Sequence, residues 1–168
     1  MTTRFDENST IRLDRKQLTL WRTFLAAHAT AVGRIDAELR EAGLLPLEWY
    51  DVLLALQEAP DRRRRMSELA QSVLLSRSGL TRLVDRLERA GLLRREACAT
   101  DRRGAYAVLT EAGLAARERT WPTYSEGIAR HFSSYLSKED VEALTNTLLR
   151  VTDAEGAFGL KKPGARSL

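Results

Sequence analysis

The sequence is poor in the residues that would mark several common functions. One cysteine, Cys98, stands among 168 residues, so an intramolecular disulfide is impossible and a reducing, cytoplasmic setting is expected. Two histidines in all, with no His/Cys/Asp/Glu group at metal-ligand spacing, leave no candidate metal site, and no cofactor is expected. The longer apolar stretches, such as residues 52–56, are far too short to cross a bilayer. The first ten residues, MTTRFDENST, hold no apolar core behind a basic start, so no secretory signal is expected. No Gly-rich phosphate loop follows a strand, no nucleophile elbow is present, and no acid pair stands beside a histidine, which argues against an enzyme. Internal repeats and low-complexity tracts are also missing.

What is present is a chain with 43% hydrophobic and 30% charged residues, the balance of a soluble globular protein. Its net charge of +4 is modest but unevenly placed. Residues 61–104 carry twelve arginines and no lysine against six acids, whereas the remainder carries 15 basic and 17 acidic residues. A solvated basic face is the ordinary explanation of such a region. The exclusive use of arginine shifts the balance a little toward a polyanion, because the guanidinium fork matches phosphate and guanine edges bidentately.

Hydrophobic periodicity orders the chain. Residues 13–42 read as one long helix, with Leu18, Trp21, Leu25, His28, Val32, Ile35 and Leu39 at alternating steps of three and four. Asp14 is placed to cap it and Gly43 to end it. A helix of this length cannot bury its stripe on a small core alone, so part of it is expected to meet another chain. Pro46 opens a second helix that ends before Pro60. Residues 61–65 read as a loop, and Ser67 as the cap of a short helix, SELAQSV. A longer helix runs from near Ser76 to Ala90 and stops at Gly91, burying Leu80, Leu83, Val84 and Leu87.

Two short strands follow, 92–97 and 106–110, around the polar loop CATDRRGA with its glycine for the turn. Thr110 caps a further helix, which Pro122 is expected to kink or interrupt. Ser137 and Asp140 form a capping-box pattern for a last helix holding Val141, Leu144, Leu148, Leu149 and Val151. The tail from about Glu155 is expected to fray.

The fold class that results is mainly α with a small β-wing. It is a winged helix-turn-helix over 46–110, with a dimerisation helix at 13–42, further helices at 111–152 and a flexible tail at 155–168. Leu69, Ala70 and Val73 of the support helix are expected to pack on Leu80, Val84 and Leu87 of the longer one. Facing away are Arg77, Ser78, Thr81, Arg82, Asp85 and Arg86. Hydroxyls that reach phosphates and arginines that read guanine are the mixture a major-groove helix needs. At the wing tip, Arg102 or Arg103 can enter a minor groove, with Asp101 pairing one of them across the hairpin. The simpler reading of that pair is a structural ion pair.

The block MSELAQSVLLSRSGLTRLVDRLERAGLLRR and the segment TDRRGAYAVLTEAG resemble the MarR family of regulators. The second segment matches the family's D-R-R, apolar strand, L-T-x-x-G pattern at Asp101, Arg102, Arg103, Leu109, Thr110 and Gly113. The resemblance spans about residues 13–152, by element order rather than by residue in the terminal helices. It implies a homodimer built from the first and last helices, binding double-stranded DNA at a pseudo-palindromic operator. It also implies modulation, most often relief of repression, by a small aromatic or phenolic effector or by an oxidant. The family's ligand region falls at Trp21, His28, Trp49, Tyr50 and Asp51, each of which is also explained as core or interface. Two alternatives stay open: a thiol-based redox sensor using Cys98, for which an inert residue is the plainer reading, and a winged-helix module that contacts proteins only.

Overall fold

The computed structural model describes residues 12–73, 77–98 and 101–153. Six α-helices and one three-stranded sheet account for most of them: α1 (Arg15–Glu41), α2 (Leu47–Gln57), β1 (Arg63–Arg65), α3 (Met66–Ser72), α4 (Arg77–Arg89), β2 (Leu93–Cys98), β3 (Asp101–Leu109), α5 (Glu111–His131) and α6 (Lys138–Asp153). The expected tail at 155–168 and the helix start at Ser76 lie outside the described residues.

Local chemistry sets the boundaries. The Asp14 carboxylate accepts the Gln17 N–H at 2.7 Å while the Gln17 side chain returns to the Asp14 N–H at 2.9 Å, a reciprocal cap for α1. Ser137 and Asp140 do the same for α6. Past α1 and α4 stand Gly43 and Gly91 with φ of +65° and +72°, the left-handed turn that glycine adopts without a Cβ clash.

Four expectations are corrected. Residues 61–65 are not a loop: a 3-10 turn at Pro60–Arg62 leads into β1, which pairs antiparallel with β3, giving the sheet order β1-β3-β2. Because β1 runs straight into α3, Arg65 is the capping position and Ser67 lies inside the first turn, so no side chain caps α3. Of the two outcomes expected at Pro122, a kink or an interruption, the interruption does not occur: α5 continues from Glu111 to His131. Pro122 and Glu118 are both exposed residues, on a side of α5 where water can satisfy a carbonyl left without its N–H partner. Gly104 does not form the wing turn but falls within β3. There the register with β2 shifts, Ala97 facing Ala105 while Cys98 faces Asp101.

One core holds the lobe together. Leu69 and Ala70 of α3 meet Leu80, Leu83, Val84 and Leu87 of α4, with Val52, Leu53 and Leu56 of α2 and Leu93, Ala107 and Leu109 of the sheet. Leu80, Leu83, Val84 and Leu87 are each at most 1% exposed, so the 3.6-residue stripe is fully used in fixing α4. A second cluster joins Ile35 and Leu39 of α1 to Leu47, Tyr124 and Ile128. Upstream on α1, Leu18, Trp21, Phe24 and Leu25 stay exposed.

Candidate nucleic-acid interface

The four-leucine/valine stripe that buries one side of α4 turns its other side outward. Thr81, Arg82, Arg86 and Arg89 are exposed there. Arg77 and Ser78 belong to the first turn of α4, and Asp101, Arg102 and Arg103 begin β3, but the side chains of these five lie outside the described residues. The expected contact residues therefore fall on one helix and one strand of the wing, and the described side chains do not bear on the expected Asp101–Arg103 pairing.

Two sets of ion pairs hold α4 to its surroundings. Arg95 of β2 donates to Asp85 at 2.5 Å and to Glu88 at 2.6 Å, and Glu88 also accepts the Arg95 N–H at 2.9 Å. Partial burial opposes the Arg95 charge, but the two carboxylates outweigh it, and the guanidinium titrates above its ordinary value. This fork fixes the wing against α4. On the other side, Arg86 donates from Nη2 to the Glu48 carboxylate of α2 at 2.8 Å.

The outer face of the sheet is also cationic. Arg63 and Arg65 lie over the Tyr106 ring at 5.1 Å and 5.6 Å, a cation–π arrangement. Arg65 additionally reaches the Cys98 sulfur at 3.5 Å. Cys98 itself is 7% exposed, and a shielded thiol lacks the access that peroxide sensing needs.

An indentation of about 290 Å³ lies between α1 and the lobe, lined by Val32, Asp36, Arg40, Leu47, Glu48, Asp51 and Val73. Of the five sequence candidates for a ligand, only Asp51 lines it. Trp21 stacks on Phe24 at 6.2 Å between ring centres and is 55% exposed, and His28 is exposed on α1. Trp49 packs against the main core. Tyr50 is buried, edge-on to Tyr124 at 4.8 Å, and its hydroxyl accepts from Arg117 at 3.0 Å. Asp36, Arg40 and Glu48 were not legible as pocket residues. Asp36 sits off the apolar stripe of α1 as any surface acid does, and only the tertiary fold brings it to α2.

Burial pushes the Asp51 carboxyl up to about 6, although the residue keeps exposed surface. A carboxyl whose folded value exceeds its unfolded one contributes stability only in the protonated form. That contribution is complete below the ordinary value of 3.8 and is lost as pH rises through about 6. Asp51→Asn is therefore expected to be more stable than the parent at pH 7, by about 1 kcal/mol once solvent screening is counted, and equal to it near pH 3.5. Thermal melts across that range check this, and a parent-to-variant difference independent of pH would contradict it.

A model of the family described as the MarR family matches residues 37–104, the span from the end of α1 into the first half of β3. MhqR, an HTH-type transcriptional regulator of Bacillus subtilis, is 31% identical over 139 residues, covering 83% of this chain and 93% of the relative. The chain belongs to the MarR family. Among solved structures, AbsC from Streptomyces coelicolor superposes with a TM-score of 0.76 at 34% identity, covering 86% of this chain and 97% of that one. Sco3205 of the same organism, crystallised in complex with DNA, gives 0.77 at 30% identity over 91% and 96% of the two chains. The chain is thus a MarR-type transcriptional regulator with a winged-helix fold. No helix among the described residues is long and apolar enough to cross a membrane.

Proposed function

We propose that the protein is a homodimeric, sequence-specific DNA-binding repressor that grips a pseudo-palindromic operator and is modulated by a small aromatic or phenolic ligand. The observation that carries DNA recognition is the outward face of α4, Thr81, Arg82 and Arg86, on a helix whose opposite face is wholly buried. Arg77 and Ser78 at its start, and Asp101, Arg102 and Arg103 in the wing, complete the expected contact set. The DNA complex of the 30%-identical Sco3205 supports the same use of the fold.

Dimerisation is supported by apolar surface that no described element covers. Val141, Leu144 and Val151 of α6 are 47%, 41% and 68% exposed, and Leu18, Trp21 and Leu25 of α1 are exposed too, more large apolar side chains on two helices than scattered surface residues explain. The effector is assigned to the indentation between α1 and α2, whose volume suits a one-ring compound.

The test is a binding titration with the duplex upstream of the protein's own gene against a scrambled duplex, at several salt concentrations. Tight, salt-weakened binding that prefers the upstream duplex is expected. Arg82→Ala is expected to weaken that binding by about 1–3 kcal/mol while the protein stays folded. Equal wild-type affinity for both duplexes rules out the regulator as described. A thermal-shift screen with phenolic acids tests the effector.

A further inference from the structure

We propose that Glu48 is a positioning residue for DNA recognition, tying the recognition helix to the long helix α1 through its ion pair with Arg86. This rests on the reading of α4 as the recognition helix of a dimer.

The tie is built from adjacent residues of α2. Asp36 of α1 accepts the Leu47 N–H through Oδ1 at 2.9 Å, and Arg40 pairs with its other oxygen. The first turn of α2, whose own preceding residue Pro46 offers no capping side chain, is thereby fastened to α1. One residue on, Oε1 of Glu48 accepts Nη2 of Arg86 at 2.8 Å. A polar path thus runs from α1 to α4 outside the hydrophobic core. It is complementary to the Arg95 fork, which holds the same stretch of α4, at Asp85 and Glu88, to the wing. Loss of Glu48 leaves α4 fixed to the wing but removes its polar hold on α1.

Both partners of the Glu48–Arg86 pair are 51% exposed, so the pair does little for stability. Its use is orientation. In a protein that reads two half-sites about one helical turn apart, the spacing between recognition helices follows from how each is held to the dimer-forming helices. Asp36, Arg40 and Glu48 also line the indentation beside α1, so a molecule seated there meets this path directly.

The experiment uses the full chain and three duplexes: the upstream operator, the same operator with one base pair inserted between half-sites, and a scrambled sequence. Wild type, Glu48→Gln, Arg86→Gln and the double variant are compared. Glu48→Gln is expected to lose about threefold in its preference for correct spacing, within what a half-exposed pair supplies, with no loss of affinity for scrambled duplex and a melting temperature within about 2 °C of wild type. In the Arg86→Gln background the same change is expected to have no further effect. Unchanged spacing preference, or additive effects of the two changes, would overturn the proposal. So would uniformly tighter binding of Glu48→Gln to all three duplexes, since Glu48 would then be only a charge competing with phosphate. A wild type that fails to separate operator from scrambled duplex removes the DNA-recognition reading itself, and that arm distinguishes the two failures.

Discussion

Gly113→Ala is expected to lower the stability of the protein by about 3 kcal/mol, about 10 °C in melting temperature for a chain of this size. The reason is the junction where the end of α4, the sheet and the start of α5 converge. Thr110 carries it: its hydroxyl donates to the Gly91 carbonyl at 2.7 Å and accepts the Gly113 N–H at 3.0 Å, while its own N–H reaches the Leu92 carbonyl at 3.3 Å. These bonds draw the first turn of α5 onto the backbone of residue 92. A Cβ on Gly113 would overlap the Leu92 carbonyl oxygen and stand 2.9 Å from Cδ1 of Leu109. The first of these neighbours is main chain, already bonded to Thr110, and the second is buried in the core, so neither yields without opening the junction. Thermal and urea unfolding measure the loss, and a melting shift under about 2 °C would contradict it. Gly127→Ala is the control. There an added Cβ meets side-chain atoms and no main chain, Ile35 Cγ1 at 3.1 Å and Glu38 Oε2 at 3.5 Å, and a small shift of the Ile35 side chain relieves it.

That junction also shows which parts of the fold were readable in advance. The L-T-x-x-G pattern was visible at Leu109, Thr110 and Gly113, and the cap at Thr110 follows from the residue type alone, because the bond it makes is local. The same holds for Asp14, Ser137 and the stripe Leu80, Leu83, Val84 and Leu87, all fixed by spacing along one helix. The closeness of Gly113 to Leu92 is not local, and nothing in the sequence spacing announces it. β1 was missed for the same reason. Three successive arginines carry no strand pattern, and Arg63–Arg65 is extended because β3 offers it a ladder and Tyr106 a ring face. In the candidate site, the outward residues of α4 followed from periodicity. The holds on α4 did not, since Arg86 meets Glu48 across 38 positions of sequence. The ligand region was the least legible. Aromatic residues drew attention at Trp21, Trp49 and Tyr50, but aromatic bulk serves packing at least as often as binding, and the indentation is bordered by carboxylates instead.

Glutamates placed in α6, Leu144→Glu with Val151→Glu, are expected to convert a dimer into a monomer and to reduce operator affinity by more than about 100-fold. The argument begins with α6 on its own. It has a reciprocal cap at Ser137 and Asp140 and 16 residues, a length at which an isolated helix is marginal in water. Within its own chain it is not closely packed on any other described element. Its apolar positions Val141, Leu144 and Val151, at steps of three and seven, nevertheless remain 41–68% exposed. A helix with an apolar face and little tertiary support within the chain needs a second molecule to bury that face. Two carboxylates on it would each have to be desolvated without a cation partner, which opposes association strongly. The effect on DNA follows from linkage of the two half-sites. Once one lobe is bound, the second binds at the high effective concentration set by the dimer, and a monomer forfeits that gain entirely. The lobe core of α2, α3, α4 and the sheet lies apart from α6, so weak, salt-sensitive binding to a single half-site is expected to survive. Light scattering reports the mass, and half-site and full-operator titrations report the affinities. A dimeric mass for the double variant would contradict the assignment of α6 to the interface. A monomer that keeps full operator affinity would contradict the need for two linked lobes.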